Sequence, residues 1–165
     1  MLNFIKSLFA TKTHAKSEGG CGAKKCCQGA AKNVDLGLSD ADRAVLQTVD
    51  ERIVVGKITA IGAHSDPKVT KVQVTQCDLG NGRIEQILCG GSNIAVDMVV
   101  PVATVGTDLG GGFVIGERAI RGEMSHGMIC AQAELGMSGN GEEKGQIWPL
   151  PSALECKLGM PVNQL

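Results

Sequence analysis

The sequence predicts an all-β domain of small helical content: a barrel of short strands, preceded by a helix and a flexible tail. Three observations predict it. From Ile53 onward the apolar residues recur with a period near two rather than 3.6. Gly, Asn and Pro punctuate the chain at intervals of roughly 10–15 residues, the spacing of short antiparallel strands. And 165 residues, 43% hydrophobic with 23 glycines, suffice to bury one core without help from disulfides or metal.

Residues 1–33 read as the tail, rich in Gly, Ala, Lys and Cys and lacking sustained periodicity. Leu2, Phe4, Ile5, Leu8 and Phe9 would share a face with Lys6 beside it if helical. That leaves a frayed terminus, a docking helix and a membrane-touching or targeting segment all open. The opening MLNFIKSLFA lacks the apolar core and cleavage site of a secretory signal. No segment reaches the roughly 18–20 apolar residues of a membrane span. Seven cysteines are therefore expected to be reduced, cytoplasmic thiols, those of the body acting as small hydrophobes.

Residues 34–52 read as helix and linker. Ser39 followed by Asp42 is a capping signature, and Ala44, Val45, Leu46 and Val49 supply the apolar stripe. The strands then follow. IVVGKITAIG begins at Ile53, with Gly56 a candidate bend or bulge. KVQVTQC alternates as a half-buried strand, and Asn81-Gly82 joins it to RIEQILC by a hairpin. MVVPVATVG is next, with Pro101 suggesting an edge or a bulge. FVIGERAIRG follows the Gly110–Gly112 turn, a brief helix is expected near Ala131–Leu135, and QIWPLP closes the set.

Charge is distributed unevenly. Residues 1–33 carry six lysines and one acid, a net of +5; residues 34–165 carry ten basic and sixteen acidic residues, a net of −6. Such a body is a poor generic polyanion binder, so nucleic-acid affinity must come from a local patch or from the tail.

The chemistry-bearing motifs exclude more than they suggest. Ser125 and His126 are chain neighbours on an extended segment, so their side chains diverge and cannot form a nucleophile–base pair. His126 and Cys130, or Cys21, Cys26 and Cys27, offer too few ligands at suitable spacing for a zinc site, though the tail cysteines stay candidates for metal or redox chemistry. GGSN at 90–93 and LGGGF at 109–113 lack the frame of a phosphate-cradling loop.

In chain order, VVGKI at 54–58, His64, KVQVTQCDLG at 71–80, QILCGGSN at 86–93, VVPVATVGTDLGGGFVI at 99–115 and AIRGEMSHGMICAQAELG at 119–136 form a set. Together they resemble the OB-fold tRNA-binding domain, found near the start of the bacterial phenylalanyl-tRNA synthetase β subunit and in free-standing tRNA-binding proteins. QIWPLP and LGMPVNQL resemble its exit, so the likeness covers residues 53–165.

The resemblance implies a five-stranded OB-fold barrel that binds tRNA or structured RNA, without catalysis or cofactor. It places Gly122, Ser125, Gly127 and Met128 in a Gly-x-x-Ser-x-Gly-Met segment beside the nucleic-acid-facing side. The candidate cations are Lys57, Lys68, Lys71, Arg83, Arg118 and Arg121, and Asn93 offers an amide. Two departures stand out. HSDPKVTK is about two residues longer than the family's first loop, and the body has Phe113 and Trp148 as its aromatics. Binding is thus expected through shape, backbone and a few cations rather than a stacking platform. The rival readings are a protein-interaction or homodimerising module that has lost RNA, and a tail working through its cysteines.

Overall fold

The computed structural model describes residues 34–138 and 145–165. One helix, α1 (Asp40–Leu46), precedes seven strands: β1 (Ile53–Ala63), β2 (Gln73–Asp78), β3 (Ile84–Cys89), β4 (Val99–Thr104), β5 (Arg118–Ile120), β6 (Glu123–Ser125) and β7 (Gly127–Ile129). Short 3-10 turns follow at Ala133–Leu135, Ser152–Lys157 and Val162–Gln164. The brief helix expected near Ala131–Leu135 is the first of these.

α1 starts where the capping signature puts it. The Asp42 N–H donates to Ser39 Oγ at 3.1 Å, and the Ser39 hydroxyl donates to Asp42 Oδ2 at 2.8 Å. Asp42 Oδ1 accepts the Ser138 N–H at 2.7 Å, which ties the helix to the segment after the first 3-10 turn. Those hydrogen bonds, the Ser138 backbone first, hold the Asp42 carboxyl below its usual range.

The sheet has the antiparallel order β3-β2-β1-β4-β7, with β5 and β6 a separate hairpin. β1 is long enough to serve two neighbours: its first half pairs with β4 from Ile53↔Ala103 to Lys57↔Val99, its second with β2 down to Ala63↔Gln73. The register shifts between Ile58 and Ala60, so the bulge lies at Thr59 and not at Gly56. Gly56 answers to packing instead. A Cβ there would sit 2.7 Å from Val102 Cγ2 and 2.9 Å from Leu79 Cδ2.

Pro101 is likewise not at an edge; β4 lies between β1 and β7, and every residue of it is buried. Val55, opposite Pro101, turns its N–H and C=O away to Met160 and Gly159, while the Pro101 carbonyl accepts the Cys130 N–H at 3.0 Å. The proline nitrogen therefore faces the Cys130 carbonyl, which accepts the Trp148 N–H at 3.2 Å instead, so the missing donor leaves no acceptor unpaired. The hairpin at Asn81-Gly82 is as expected: both residues have positive φ, 55° and 78°, and the Arg83 N–H closes on the Gly80 carbonyl at 2.9 Å. QIWPLP contributes a single bridge, Val99↔Leu150, rather than a strand.

Two apolar layers result. Ile58, Cys77, Ile87, Cys89, Val100, Val102 and Ile129 fill the barrel interior. Outside β1 and β4, Leu36, Leu46, Trp148, Leu150, Leu154 and Val162 cover the other face of those strands. Burial pushes the Cys77 thiol up to about 11 and the Cys130 thiol to about 12, so these cysteines are core side chains, as their apolar surroundings in the sequence suggest.

Candidate nucleic-acid interface

The barrel is closed between β3 and β7 by side chains as much as by backbone. The His126 N–H donates to the Gln86 carbonyl at 2.9 Å, and the Leu88 N–H donates to Ser125 Oγ at 3.0 Å. The Ser125 hydroxyl in turn donates to the Gly127 carbonyl at 3.0 Å. Gln86 Nε2 reaches the Met124 carbonyl at 2.9 Å from the outer face of β3. Gly127 must be glycine for this seam: its φ is 147°, and a Cβ would stand 2.7 Å from the Ala103 carbonyl oxygen. The Ser-His-Gly-Met segment is thus a structural clasp, with the Ser125 hydroxyl committed in both directions.

A second clasp joins the β1–β2 loop, residues 64–72, to the β5–β6 hairpin. His64 is buried; its Nδ1 accepts the Asp66 N–H at 3.0 Å, so Nε2 carries the proton and donates to the Ile120 carbonyl at 2.9 Å. Arg121 takes the tight hairpin turn with φ 44°, followed by Gly122 at 93°, a type I′ pair. Its guanidinium reaches Asp66 Oδ2 at 3.1 Å. Asp66 also accepts the Lys68 N–H at 2.9 Å, the Asx turn that an Asp-Pro dipeptide favours. These contacts, the Lys68 amide first, hold the Asp66 carboxyl below its usual range.

Between the hairpin and the seam lies a groove of about 330 Å³, lined by Phe113, Val114, Arg118, Leu88, Ser125 and Met128 among others. Beyond Leu88 and Met128 it opens into a depression bounded by Gly90, Gly91, Ala131 and Ile147. Phe113 is 54% exposed and Val114 57%. They stand at the end of a turn in which Gly110, Gly111 and Gly112 all have positive φ, and the Phe113 N–H donates to the Gly110 carbonyl at 3.1 Å.

The candidate residues divide by this geometry. Arg118, Ser125 and Met128 line one groove, while Arg121 and Lys68 are joined through Asp66 at the tip of the β5–β6 hairpin. Lys71, just before β2, belongs to the same end. Arg83 lies at the far end of the β2–β3 ladder, about 17 Å away along a six-residue strand, and pairs with Glu85 at 2.9 Å. Lys57 is also remote and is saturated by Asp97 at 2.9 Å and Glu155 at 2.8 Å. The Asn93 amide is fully used, donating to the Ile147 carbonyl at 2.9 Å and accepting its N–H at 2.8 Å. Among the described residues, Lys68, Lys71 and Arg118 are exposed and make no ion pair.

Of the two body aromatics, Trp148 is 3% exposed and belongs to the core, leaving Phe113 at the surface. Sequence reasoning did not single out Asp66, Gln86 or Glu117, the last of which lies 3.2 Å from His126 Nδ1. Only Asp66 had a local signal, its following proline. Among the described residues no group of three or more His, Cys, Asp or Glu could hold a metal, and Cys21, Cys26 and Cys27 lie outside the described residues. No helix among the described residues is long and apolar enough to cross a membrane.

Comparison with known proteins bears directly on this geometry. Residues 53–156 match the family described as "Putative tRNA binding domain". The chain is similar to the phenylalanine–tRNA ligase β subunit of Chlorobaculum tepidum, at 37% identity over 77% of this chain and 15% of that protein. It is also similar to the same subunit in Nitratidesulfovibrio vulgaris, at 43% identity over 62% of this chain and 12% of that protein. A third relative, from Symbiobacterium thermophilum, is 38% identical over 70% of this chain and 12% of its own length. The chain thus spans about an eighth of the curated relatives it matches.

Proposed function

This chain belongs to the tRNA-binding domain family, and we propose that it is a non-catalytic module that holds tRNA or a similarly structured RNA. The observation that carries the reading is the meeting of the β1–β2 loop and the β5–β6 hairpin. Arg118 lines the groove, Arg121 stands at the hairpin tip paired with Asp66, and Lys68 and Lys71 lie on the loop joined to that tip; among the described residues Lys68, Lys71 and Arg118 make no ion pair, at one end of an otherwise acidic body.

Each part has a role on this reading. Lys68, Lys71 and Arg118 meet phosphates; Arg121 reaches them by exchanging Asp66 for a phosphate oxygen. The body's net charge of −6 repels RNA from the remaining faces and confines it to this end. Ser125 and Gly127 act through barrel closure, and Met128 through the groove floor. On this reading the chain contributes binding rather than chemistry, and its setting is translation in the cytoplasm.

The test is a salt series of tRNA binding with the full chain and with a full-chain variant carrying Gln at Lys6, Lys12, Lys16, Lys24, Lys25 and Lys32. Binding that survives the tail substitutions and weakens on Arg118→Ala supports the reading. Binding that disappears with the tail lysines, along with its steep salt dependence, assigns the affinity to a generic polycation. Absence of binding in both turns the search to protein partners.

A further inference from the structure

We propose that the groove beside Phe113 receives a single unstacked base of the bound RNA, its face against the Phe113 ring and its flanking phosphate at Arg118. This rests on the RNA-binding reading and specifies how RNA would be engaged there.

Four features point to a base rather than to a side chain or a lipid. Phe113 is a large apolar ring left 54% exposed, although the interior has taken the other body aromatic, Trp148. It is held in place by backbone. The Leu109 N–H donates to the Phe113 carbonyl at 3.0 Å, the Phe113 N–H donates to the Gly110 carbonyl, Asp108 bridges Val114, and the Ile115 N–H donates to the Thr107 carbonyl at 2.8 Å. A ring carried on a hydrogen-bonded turn suits a stacking surface, since the backbone that presents it loses little entropy on binding. Leu88 and Met128 also line the groove and offer apolar contact to a planar ring.

The cation is in the right sequence relation as well. Arg118 lines the same groove, is exposed, and makes no ion pair among the described residues, so its guanidinium is available to a phosphate. Glu117 lines the groove too, but its carboxylate lies 3.2 Å from His126 Nδ1, which draws it toward the imidazole. Finally, Gly110, Gly111 and Gly112 would present any added Cβ to open space. The turn is free of bulk on its outer side, where a sugar–phosphate backbone would pass.

The experiment uses the full chain and mixed tRNA as probe. Phe113→Ala and Phe113→Leu should each weaken binding by roughly 5- to 150-fold with the salt slope unchanged, the leucine showing that apolar bulk does not replace a ring. Phe113→Trp should bind like the parent, and its indole fluorescence should be quenched by tRNA above the background of buried Trp148. Arg118→Ala should lower the salt slope by about one. If the parent binds tRNA and Phe113→Leu binds equally well, or the new indole is not quenched, the base pocket is wrong while the RNA reading stands. If the parent does not bind tRNA, both fall together.

Discussion

Ser125 gives Leu88 the hydrogen bond that a neighbouring strand would otherwise give: the Leu88 N–H lies 3.0 Å from the Ser125 hydroxyl oxygen. β3 is the last strand of its sheet, and an open edge would expose its backbone to water and to other chains. With the His126–Gln86 bond beside it, this contact converts a curled sheet into a barrel.

Ser125→Ala leaves the Leu88 N–H without its acceptor at a nearly closed seam. The expected loss is about 1–3 kcal/mol of unfolding free energy. Urea denaturation followed by circular dichroism checks it, and an unchanged midpoint would show that the seam does not depend on this hydroxyl.

Gly127→Ala should be at least as costly, because two faults coincide. A φ of 147° is strained for alanine, and the new Cβ would press on the Ala103 carbonyl at 2.7 Å. Neither can relax without moving β4. A loss of about 1–3 kcal/mol from backbone strain alone is expected. By contrast Gly37→Ala, also at positive φ but with nothing within 4 Å, carries the strain without the clash and should cost less. The difference between the two midpoints reports the contact together with the less favourable φ of Gly127.

The cations should behave unequally toward RNA. Arg118→Ala and Lys68→Ala should each reduce the slope of log affinity against log salt by about one. Lys57→Ala should leave it unchanged, since Asp97 and Glu155 already hold that ammonium. Asp66→Asn is the informative reversal. It removes the carboxylate that competes for Arg121, so tRNA affinity should rise while the loop loses its ion pair. A fall in affinity would mean that Asp66 serves chiefly to order the loop.

Acid should loosen the N-terminal helix. The Asp42 and Asp66 carboxyls are held below their ordinary range by hydrogen bonds present only in the folded chain. Their contribution to stability is therefore complete above the ordinary carboxylate range and is lost as pH falls through the lowered folded values. Denaturation midpoints taken from pH 7 down to pH 3 should decline, and Asp42→Asn should flatten the decline. A profile identical to the parent's would assign the acid sensitivity elsewhere.

The core thiols should be inert. Cys77, Cys89 and Cys130 are buried, and burial raises all three away from the thiolate form that reacts. Alkylation of the native chain at pH 8, read by peptide mass, should spare them until denaturant is added. Labelling of Cys130 in the native protein would show that the seam beside it opens.

Local chemistry settled what the sequence by itself determined. The Ser39 cap, the Asn81-Gly82 hairpin and the alternating strands depend on residues a few positions apart, so they are legible without the fold. The ordered motifs from 54 to 136 also identified the family. What needed the tertiary structure were effects of residues distant in the chain. Gly56 is set by Val102 and Leu79 rather than by a bulge, and Pro101 is tolerated mid-sheet because the Trp148 N–H takes the Cys130 carbonyl that faces the proline nitrogen. Arg83, Lys57 and Asn93 looked like equals of Arg118 until their partners were visible: Glu85, the Asp97–Glu155 pair and the Ile147 backbone. A cation's availability depends on which carboxylates fold up against it, and that is fixed by packing across tens of residues rather than by the cation's neighbours in sequence.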